Sequence, residues 1–383
     1  MGQVSWQQFR GNYRNGSSAE TNINEKWTEN EPELVLRKNI GSGYSEIIIS
    51  TDKVIVMSCE KIDSLSGSEF MIAYDAKTNK ELWKTAIDSM YRDSEGNWGE
   101  GPRSTPAIDD KAIYCLSSYG KLRAISMEDG KILWTVNLLK EFDNKPGWIY
   151  TSSPIQYENE LIIELGGTES RGFASFDKST GKKRWVNGEG RRSYCSPTIA
   201  EIDGGIHMIF ANGSKLKSFS KTGDELWSYS MPLQGANATP LFIAPNKIFV
   251  SSKAGCFMIK VENNGVTEVF NNKSMRNEFS TSCYYNGHIY GISTGALKCI
   301  SETDGESKWK QRGFGRGSLI RVGNKLLVIS DKGVLKLVEA TPETYIEKGS
   351  IQAINGRIMT APSFANGIIY LRNLTEMVAF KIN

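Results

Sequence analysis

The chain is dominated by short stretches in which hydrophobic and polar residues alternate, with polar turns between them. In residues 173–185, one alternating stretch ends at Asp177, a turn containing Gly181 follows, and a second stretch carries Trp185. Alternation with a period of two is typical of a β-strand with one buried face, and glycine suits a tight turn that needs a positive φ. Each such segment therefore predicts a β-hairpin. Related segments occur at residues 71–83, 122–134, 216–227 and 297–309, with Asn79 at the turn position of the first.

A second element precedes the hairpins. It begins with Ser or Thr before Pro, as at Thr105-Pro106 and Ser153-Pro154, and continues as a strand. Each unit thus supplies about four short strands, and a large apolar residue recurs roughly every 40–50 residues, which is the spacing of propeller blades. We expect these residues to pack between blades rather than to form a ligand cage. They mark eight units, at Leu36, Trp83, Trp134, Trp185, Trp227, Phe270, Trp309 and Tyr345.

The two ends of the chain complement each other. Residues 358–383 supply three strands, and residues 32–38 form an alternating stretch without a hairpin partner. Pairing them would complete the eighth sheet and remove two exposed sheet edges, which favour aggregation. The sequence therefore predicts an all-β, eight-bladed propeller of four-stranded antiparallel blades over residues 32–383, closed by pairing of the N- and C-terminal strands. Residues 1–31 are predicted to be a leader across the base or side of the ring, with Arg10 and Arg14 paired locally.

Charge and composition exclude several functions. The 46 Lys and Arg nearly balance the 43 Asp and Glu, for a formal charge of +3, so we expect no nucleic-acid partner, although a local basic patch stays open. No apolar run is long enough for a membrane helix. The N-terminus lacks the apolar core of a signal peptide, as would a mature chain whose signal had been removed. Two histidines and six separated cysteines indicate no metal site. We expect buried thiols, with a single disulfide as the alternative.

The repeats resemble those of the pyrroloquinoline-quinone-type (PQQ-like) β-propellers. The start of the chain, Trp6-Gln-Gln-Phe9-Arg10-Gly11, resembles a leader that precedes many bacterial propellers of this family. The resemblance covers nearly the whole chain and implies an eight-bladed ring located in the periplasm or at the cell surface. It implies no single function, because the family includes quinone-dependent dehydrogenases and the propeller lipoprotein of the outer-membrane β-barrel assembly machinery.

The functional hypotheses follow from this comparison. Dehydrogenases of the family use an adjacent Cys-Cys pair and Glu, Asn and Asp around a calcium ion, whereas this chain has no adjacent cysteines and no such set can be placed. PQQ is therefore not an expected cofactor, and no catalytic residue is assigned. We expect a monomeric, non-catalytic binding or scaffold propeller that binds a protein partner or an anionic or carbohydrate ligand at one face. The alternatives are a carbohydrate-active enzyme of lyase or hydrolase type, or a quinone-dependent dehydrogenase, acting at the channel mouth.

The register of the repeats locates that mouth. Counted back from the proline position of each Ser/Thr-Pro-like site, residues two positions earlier are small, such as Ser104, which fits where eight inner strands converge, and those three positions earlier are larger, such as Arg103. Arginine suits carboxylate or sulfate oxygens, and aromatic faces suit sugar rings. Alternatively, the arginines pair with Glu46, Glu100 and Glu278. The candidate ligand-binding residues are Tyr44, Trp98, Arg103, Trp148, Tyr150, Arg192, Tyr194, Asn237, Glu278, Arg316 and Arg357.

Overall fold

The hairpin repeats form the two outer strands of successive sheets, and the stretch after each Ser/Thr-Pro-like site forms the inner strand. The computed structural model describes residues 5–63, 66–93, 98–143, 149–167, 169–190, 193–231, 238–263 and 265–382. Within these ranges there are eight sheets and one short helix, α1 (Leu138–Glu141). The predicted all-β, eight-bladed propeller is confirmed. The described part of the chain contains no helix that is both long and apolar enough to cross a membrane.

Strands are numbered in chain order, and each blade is given from the channel outward. Blade 1 contains β3 (Ile48–Ile49), β4 (Lys53–Lys61), β5 (Gly67–Asp75) and β6 (Glu81–Ser89); blade 2 contains β7 (Ala107–Ile108), β8 (Ala112–Leu116), β9 (Lys121–Ser126) and β10 (Ile132–Asn137). Blade 3 contains β11 (Ile155–Tyr157), β12 (Glu160–Glu164), β13 (Phe173–Asp177) and β14 (Lys183–Asn187); blade 4 contains β15 (Thr198–Ile202), β16 (Gly205–Asn212), β17 (Lys215–Phe219) and β18 (Glu225–Ser230).

The second half of the ring repeats this arrangement. Blade 5 contains β19 (Leu241–Ile243), β20 (Lys247–Ser252), β21 (Gly255–Glu262) and β22 (Gly265–Asn272); blade 6 contains β23 (Cys283–Tyr285), β24 (His288–Ser293), β25 (Gly295–Ser301) and β26 (Ser307–Gly315). Blade 7 contains β27 (Ser318–Val322), β28 (Lys325–Ile329), β29 (Val334–Glu339) and β30 (Glu347–Gln352); blade 8 contains β31 (Ser363–Ala365), β32 (Ile368–Arg372), β33 (Glu376–Lys381) and, from the N-terminal segment, β2 (Glu33–Asn39).

The ring closes through the two ends of the chain. β2 pairs antiparallel with β33, with Leu36 opposite Ala379, so the predicted pairing of the N- and C-terminal strands is confirmed. The short strand β1 (Ser17–Ser18) pairs parallel with β27 and gives blade 7 a fifth strand. The N-terminal segment therefore contributes strands to both of the last two blades.

Aromatic residues of the outer strands dock each blade onto the next. The Trp83 ring lies 2.6 Å from the position that a Cβ on Gly130 would take, and Trp134 lies 2.7 Å from the same position at Gly181. The Trp134 indole N–H also donates to the carbonyl of Lys178 at 3.0 Å. The packing that the repeats predict is therefore observed, and the turn glycine both adopts a positive φ and leaves room for the neighbouring ring. The arrangement recurs for Trp185 over Gly223 and Phe270 over Gly305.

We expect Gly130→Ala to destabilise the protein more than Gly204→Ala. Their φ angles are +73° and +76°, so both substitutions carry the cost of about 1–2 kcal/mol for a left-handed residue with a Cβ. That Cβ would meet the Trp83 ring at Gly130, whereas nothing lies within 4 Å of it at Gly204. Overpacking adds about 1–3 kcal/mol at Gly130 alone. Urea denaturation measures both losses, and equal values would contradict the docking role of Trp83.

Blade 7 departs from the sequence prediction. Gly349, not Tyr345, occupies the register position of the repeat aromatic, because it follows the same β-bulge that precedes Trp309 in blade 6. Tyr345 lies before β30 and packs edge-on against Trp309, with ring centres 5.9 Å apart. Trp27 of the N-terminal segment fills the space over Gly349 and is only 2% exposed. The missing aromatic of this blade is thus supplied from the other end of the chain.

All six cysteines are buried and free, as the prediction of buried thiols requires. Burial raises the pKa of the Cys59 and Cys115 thiols to about 12. These two thiols stay protonated near neutral pH and behave as small apolar side chains rather than as nucleophiles.

Candidate functional site

A belt of side-chain hydroxyls surrounds the channel where the inner strands begin. The Glu46 N–H donates to Thr105 Oγ1 at 2.9 Å, and the Thr105 N–H donates to Ser153 Oγ at 2.9 Å. These hydroxyls belong to the Ser/Thr-Pro-like sites, so that sequence signal marks hydrogen bonds between neighbouring blades. The same bond links Ser153 to Ser196, Ser196 to Thr239 and Thr239 to Thr281.

A cavity of about 600 Å³ lies above this hydroxyl belt, at one face of the ring. Its volume is in the range of small-molecule binding sites, which are mostly apolar with a few placed polar groups. Its upper part is aromatic and contains two charged side chains, Asp93 and Arg103. The aromatic residues that line it are Phe9, Tyr44, Tyr91, Trp98, Tyr119, Tyr150, Tyr194 and Phe279.

The leader forms the floor of the cavity. Arg14 donates to the carbonyl of Pro154 in blade 3, and Arg10 donates to the carbonyl of Leu319 in blade 7, both at 2.9 Å. Blades 3 and 7 lie opposite each other in an eight-membered ring, so the leader crosses the channel, and Phe9 and Arg10 line the cavity from below. The prediction that Arg10 and Arg14 pair locally was wrong, because their shortest side-chain hydrogen bonds go to the blades.

Glu46 holds this leader in place. It stands in blade 1 where other blades carry a belt hydroxyl, and its Oε2 accepts from Trp6 Nε1 at 3.2 Å and from the Arg10 N–H at 2.7 Å. Oε1 is buried and has no hydrogen-bond partner within the described ranges. Burial raises the pKa of Glu46 to about 7, against the opposing effect of Arg10. A large fraction of this carboxyl therefore carries a proton near neutral pH.

Five of the predicted binding residues line the cavity. Arg103 stacks against Tyr44, with 5.5 Å between its guanidinium carbon and the ring centre. The role of all five residues in ligand binding stays a prediction. The five are Tyr44, Trp98, Arg103, Tyr150 and Tyr194, whereas the predicted residues Trp148, Arg192 and Asn237 lie outside the described residues.

Glu278, Arg316 and Arg357 lie beside the cavity rather than in its wall. Arg316 Nε donates to Glu278 Oε2 at 3.0 Å, which is the acid pairing considered as the alternative for the rim arginines. Glu100, also considered for that role, pairs with a lysine instead. The guanidinium carbons of Arg316 and Arg357 lie 5.2 and 5.9 Å from the ring centre of Trp98. Trp98 precedes blade 2, so this contact fixes its segment across the mouth.

Sequence reasoning missed two tyrosines of the cavity wall. Tyr91 begins the insertion that carries Trp98, and Tyr119 lies in the hairpin turn between β8 and β9. Turns favour Gly, Pro, Asn, Asp and Ser, so an aromatic residue at Tyr119 was an available signal. Its ring centre lies 6.4 Å from that of Tyr91 in an edge-on contact, which joins two neighbouring blades at the mouth.

Comparison with known proteins decides the family. The family model described as outer membrane protein assembly factor BamB, which is built from PQQ-type repeats, matches residues 67–311. The chain belongs to this family. A protein with the same name, outer membrane protein assembly factor BamB of Shewanella oneidensis, is 23% identical over 280 residues. These residues are 68% of this chain and 69% of that protein. The resemblance to PQQ-like propellers is therefore confirmed.

Other similar proteins include enzymes. Lupanine 17-hydroxylase [cytochrome c] of a Pseudomonas species is 28% identical over 166 residues, which are 41% of this chain but only 21% of the hydroxylase. BamB from Moraxella catarrhalis superposes with a TM-score of 0.64 at 14% identity, over 91% of this chain and 98% of that one. Quinohemoprotein alcohol dehydrogenase from Comamonas testosteroni gives 0.71 at 13% identity, over 98% and 80%. At these identities the two structures show the shared fold alone.

The described cavity residues do not fit a quinone with its calcium ion. Calcium takes six or more oxygen ligands, yet the part of the chain described here contains no group of three or more His, Cys, Asp or Glu that could hold a metal. Both carboxylates that line the cavity already accept backbone hydrogen bonds. Glu46 accepts from the Arg10 N–H of the leader, and Asp93 Oδ2 accepts from the N–H groups of Trp98 and Gly99 at 2.5 and 2.9 Å.

Proposed function

We propose that this chain is a non-catalytic binding propeller that works outside the cytoplasm and takes its ligand into the cavity at the channel mouth. The observation that carries this proposal is the leader across the channel: Arg10 and Arg14 bond to opposite blades, and Phe9 and Arg10 line the cavity from that side. Aromatic walls above a polar base suit an oligosaccharide, whose rings stack on aromatic side chains while its hydroxyls meet polar groups.

Membership of the BamB family supports a scaffold role for the same face. The relatives carry the name of an outer membrane protein assembly factor, and loops on one face of a rigid scaffold are where such proteins place their contacts. The proposal includes neither a quinone nor catalysis. Glu46 and Asp93, the carboxylates that an enzyme would use at this cavity, are instead engaged in holding the leader and the Trp98 segment.

Tyr194 provides the test. It lines the cavity and is 39% exposed, whereas Tyr13 of the leader is 65% exposed and does not line the cavity. We expect the purified wild-type chain to bind members of an array of neutral and acidic oligosaccharides. Tyr194→Ala should weaken that binding about fivefold or more, since an aromatic contact contributes about 1 kcal/mol in addition to the burial of its apolar surface.

Tyr13→Ala is the matched control and should bind as the wild type does. Binding that is unchanged in Tyr194→Ala, or no binding to any oligosaccharide of the array, would contradict the proposal. Mass spectrometry of the bound saccharides covers the enzymatic alternative, because shortened or unsaturated products would show catalysis in place of simple binding.

A further inference from the structure

We infer that the cavity takes an acidic sugar whose carboxylate pairs with Arg103. This inference rests on the proposed function and names the chemical class of the ligand. Its starting point is that Arg103 lines the cavity yet forms no ion pair and donates no hydrogen bond to any residue in the described ranges. By contrast, Arg316 at the same face is paired with Glu278.

The Arg103 guanidinium stacks against two tyrosine rings. Its central carbon lies 5.5 Å from the ring centre of Tyr44 and 5.8 Å from that of Tyr91. Its Nε is enclosed and has no partner among the described residues. A guanidinium presents parallel N–H donors that match the two oxygens of a carboxylate, and a fork fixed by stacking loses little freedom when it binds. Arg103 is therefore a fixed anion-binding group at the cavity.

The base of the cavity offers a second kind of recognition. Four belt residues line it, each accepts a backbone N–H through its hydroxyl oxygen, and none donates its own hydroxyl hydrogen to a residue that the structure describes. All four side chains are buried, at 1–4% exposure, so each presents only a narrow surface to a ligand at the base of the cavity. These residues are Thr105, Ser153, Ser196 and Thr281.

The backbone spacing between the two levels is comparable to a sugar ring. Arg103 precedes Thr105 by two residues, and Tyr194 precedes Ser196 by two, so their Cα atoms are separated by about 7 Å where the chain is extended. A pyranose ring spans a distance of this order. Tyr194 lines the cavity and is 39% exposed, so the apolar face of a sugar can stack against its ring. A peptide C-terminus could also pair with Arg103, but it would leave most of the hydroxyl donors unused.

Titration calorimetry with trigalacturonic acid and its neutral trimethyl ester tests the inference, because the two probes differ only in the carboxylates. We expect wild-type protein to bind the acid at least about tenfold more tightly than the ester, as a charge-assisted pair provides. Arg103→Gln should remove this preference while ester binding persists, and Arg103→Lys should restore part of it. Arg184→Gln, which removes an exposed arginine of the outer strand β14, should retain the full preference.

The possible failures are distinguishable. If both probes bind equally and Tyr194→Ala weakens both, the cavity binds sugars and only the role of Arg103 is overturned. If neither probe binds, or if Tyr194→Ala leaves their binding unchanged, the inference falls together with the proposed site. A preference for the acid that survives in Arg103→Gln would also overturn it. Urea midpoints of the Arg103 variants identify any loss that comes from unfolding.

Discussion

Trp27→Ala is expected to lower the free energy of unfolding by about 3–5 kcal/mol, the range for deletion of a buried tryptophan side chain. Trp27 is 2% exposed and lies over Gly349, at the position where other blades have their own aromatic residue. Blade 7 cannot fill this space, because Gly349 has no side chain. The substitution should therefore leave a cavity between the N-terminal segment and blade 7. Equilibrium unfolding in urea measures the loss.

Tyr13→Ala is the matched control for this prediction. Tyr13 belongs to the same N-terminal segment but is 65% exposed, so its removal should change stability by no more than about 0.5 kcal/mol. A loss in Trp27→Ala as small as that of the control would mean that the N-terminal segment does not complete blade 7.

Arg10→Ala is expected to cost about 2–6 kcal/mol, because two buried carbonyls would lose their donor at about 1–3 kcal/mol each. Arg10 is 1% exposed, and its guanidinium donates to the carbonyls of Ser282 and Leu319 at 2.9 Å. The substitution leaves both carbonyls without this donor and removes a positive charge that lowers the pKa of Glu46. It should also open the floor of the cavity, which limited proteolysis of the leader would report together with urea denaturation.

Arg37→Ala provides the comparison for Arg10→Ala. Arg37 joins the N- and C-terminal strands through Glu376 at 2.8 Å, but both side chains are partly exposed. Water screens such pairs, so the loss should stay below about 1 kcal/mol. If Arg10→Ala cost no more than Arg37→Ala and the leader stayed resistant to protease, Arg10 would not fasten the leader across the channel.

The leader connects stability with the candidate site. Phe9 and Arg10 of the leader line the cavity from below, and Glu46 accepts hydrogen bonds from Arg10 and from Trp6 of the same leader. A variant that loosens the leader is therefore expected to alter the binding pocket as well as the ring. This is why the test of the ligand uses Tyr194 and Arg103, which lie at the opposite end of the cavity from the leader.

Much of the fold could be predicted from sequence because its signals are local and repeated. A turn glycine, an alternating strand and a tryptophan recur within about a dozen residues, and several copies in register outweigh the ambiguity of any one of them. Blade 7 was the exception. Tyr345 stood near the expected spacing, but the true register position is Gly349, whose partner Trp27 is distant in sequence and leaves no local trace.

By itself, the sequence determined the number of blades, the pairing of residues 32–38 with the last blade, and the register that places Tyr44, Arg103 and Tyr194 at the channel mouth. These features follow from strand periodicity, which acts within each repeat. Only the tertiary structure decided that the leader crosses the channel, that Trp98 reaches Arg316, and that Glu46 holds the leader. Such contacts join residues far apart in the chain, and they exist only because closure of the ring brings opposite blades to a common centre.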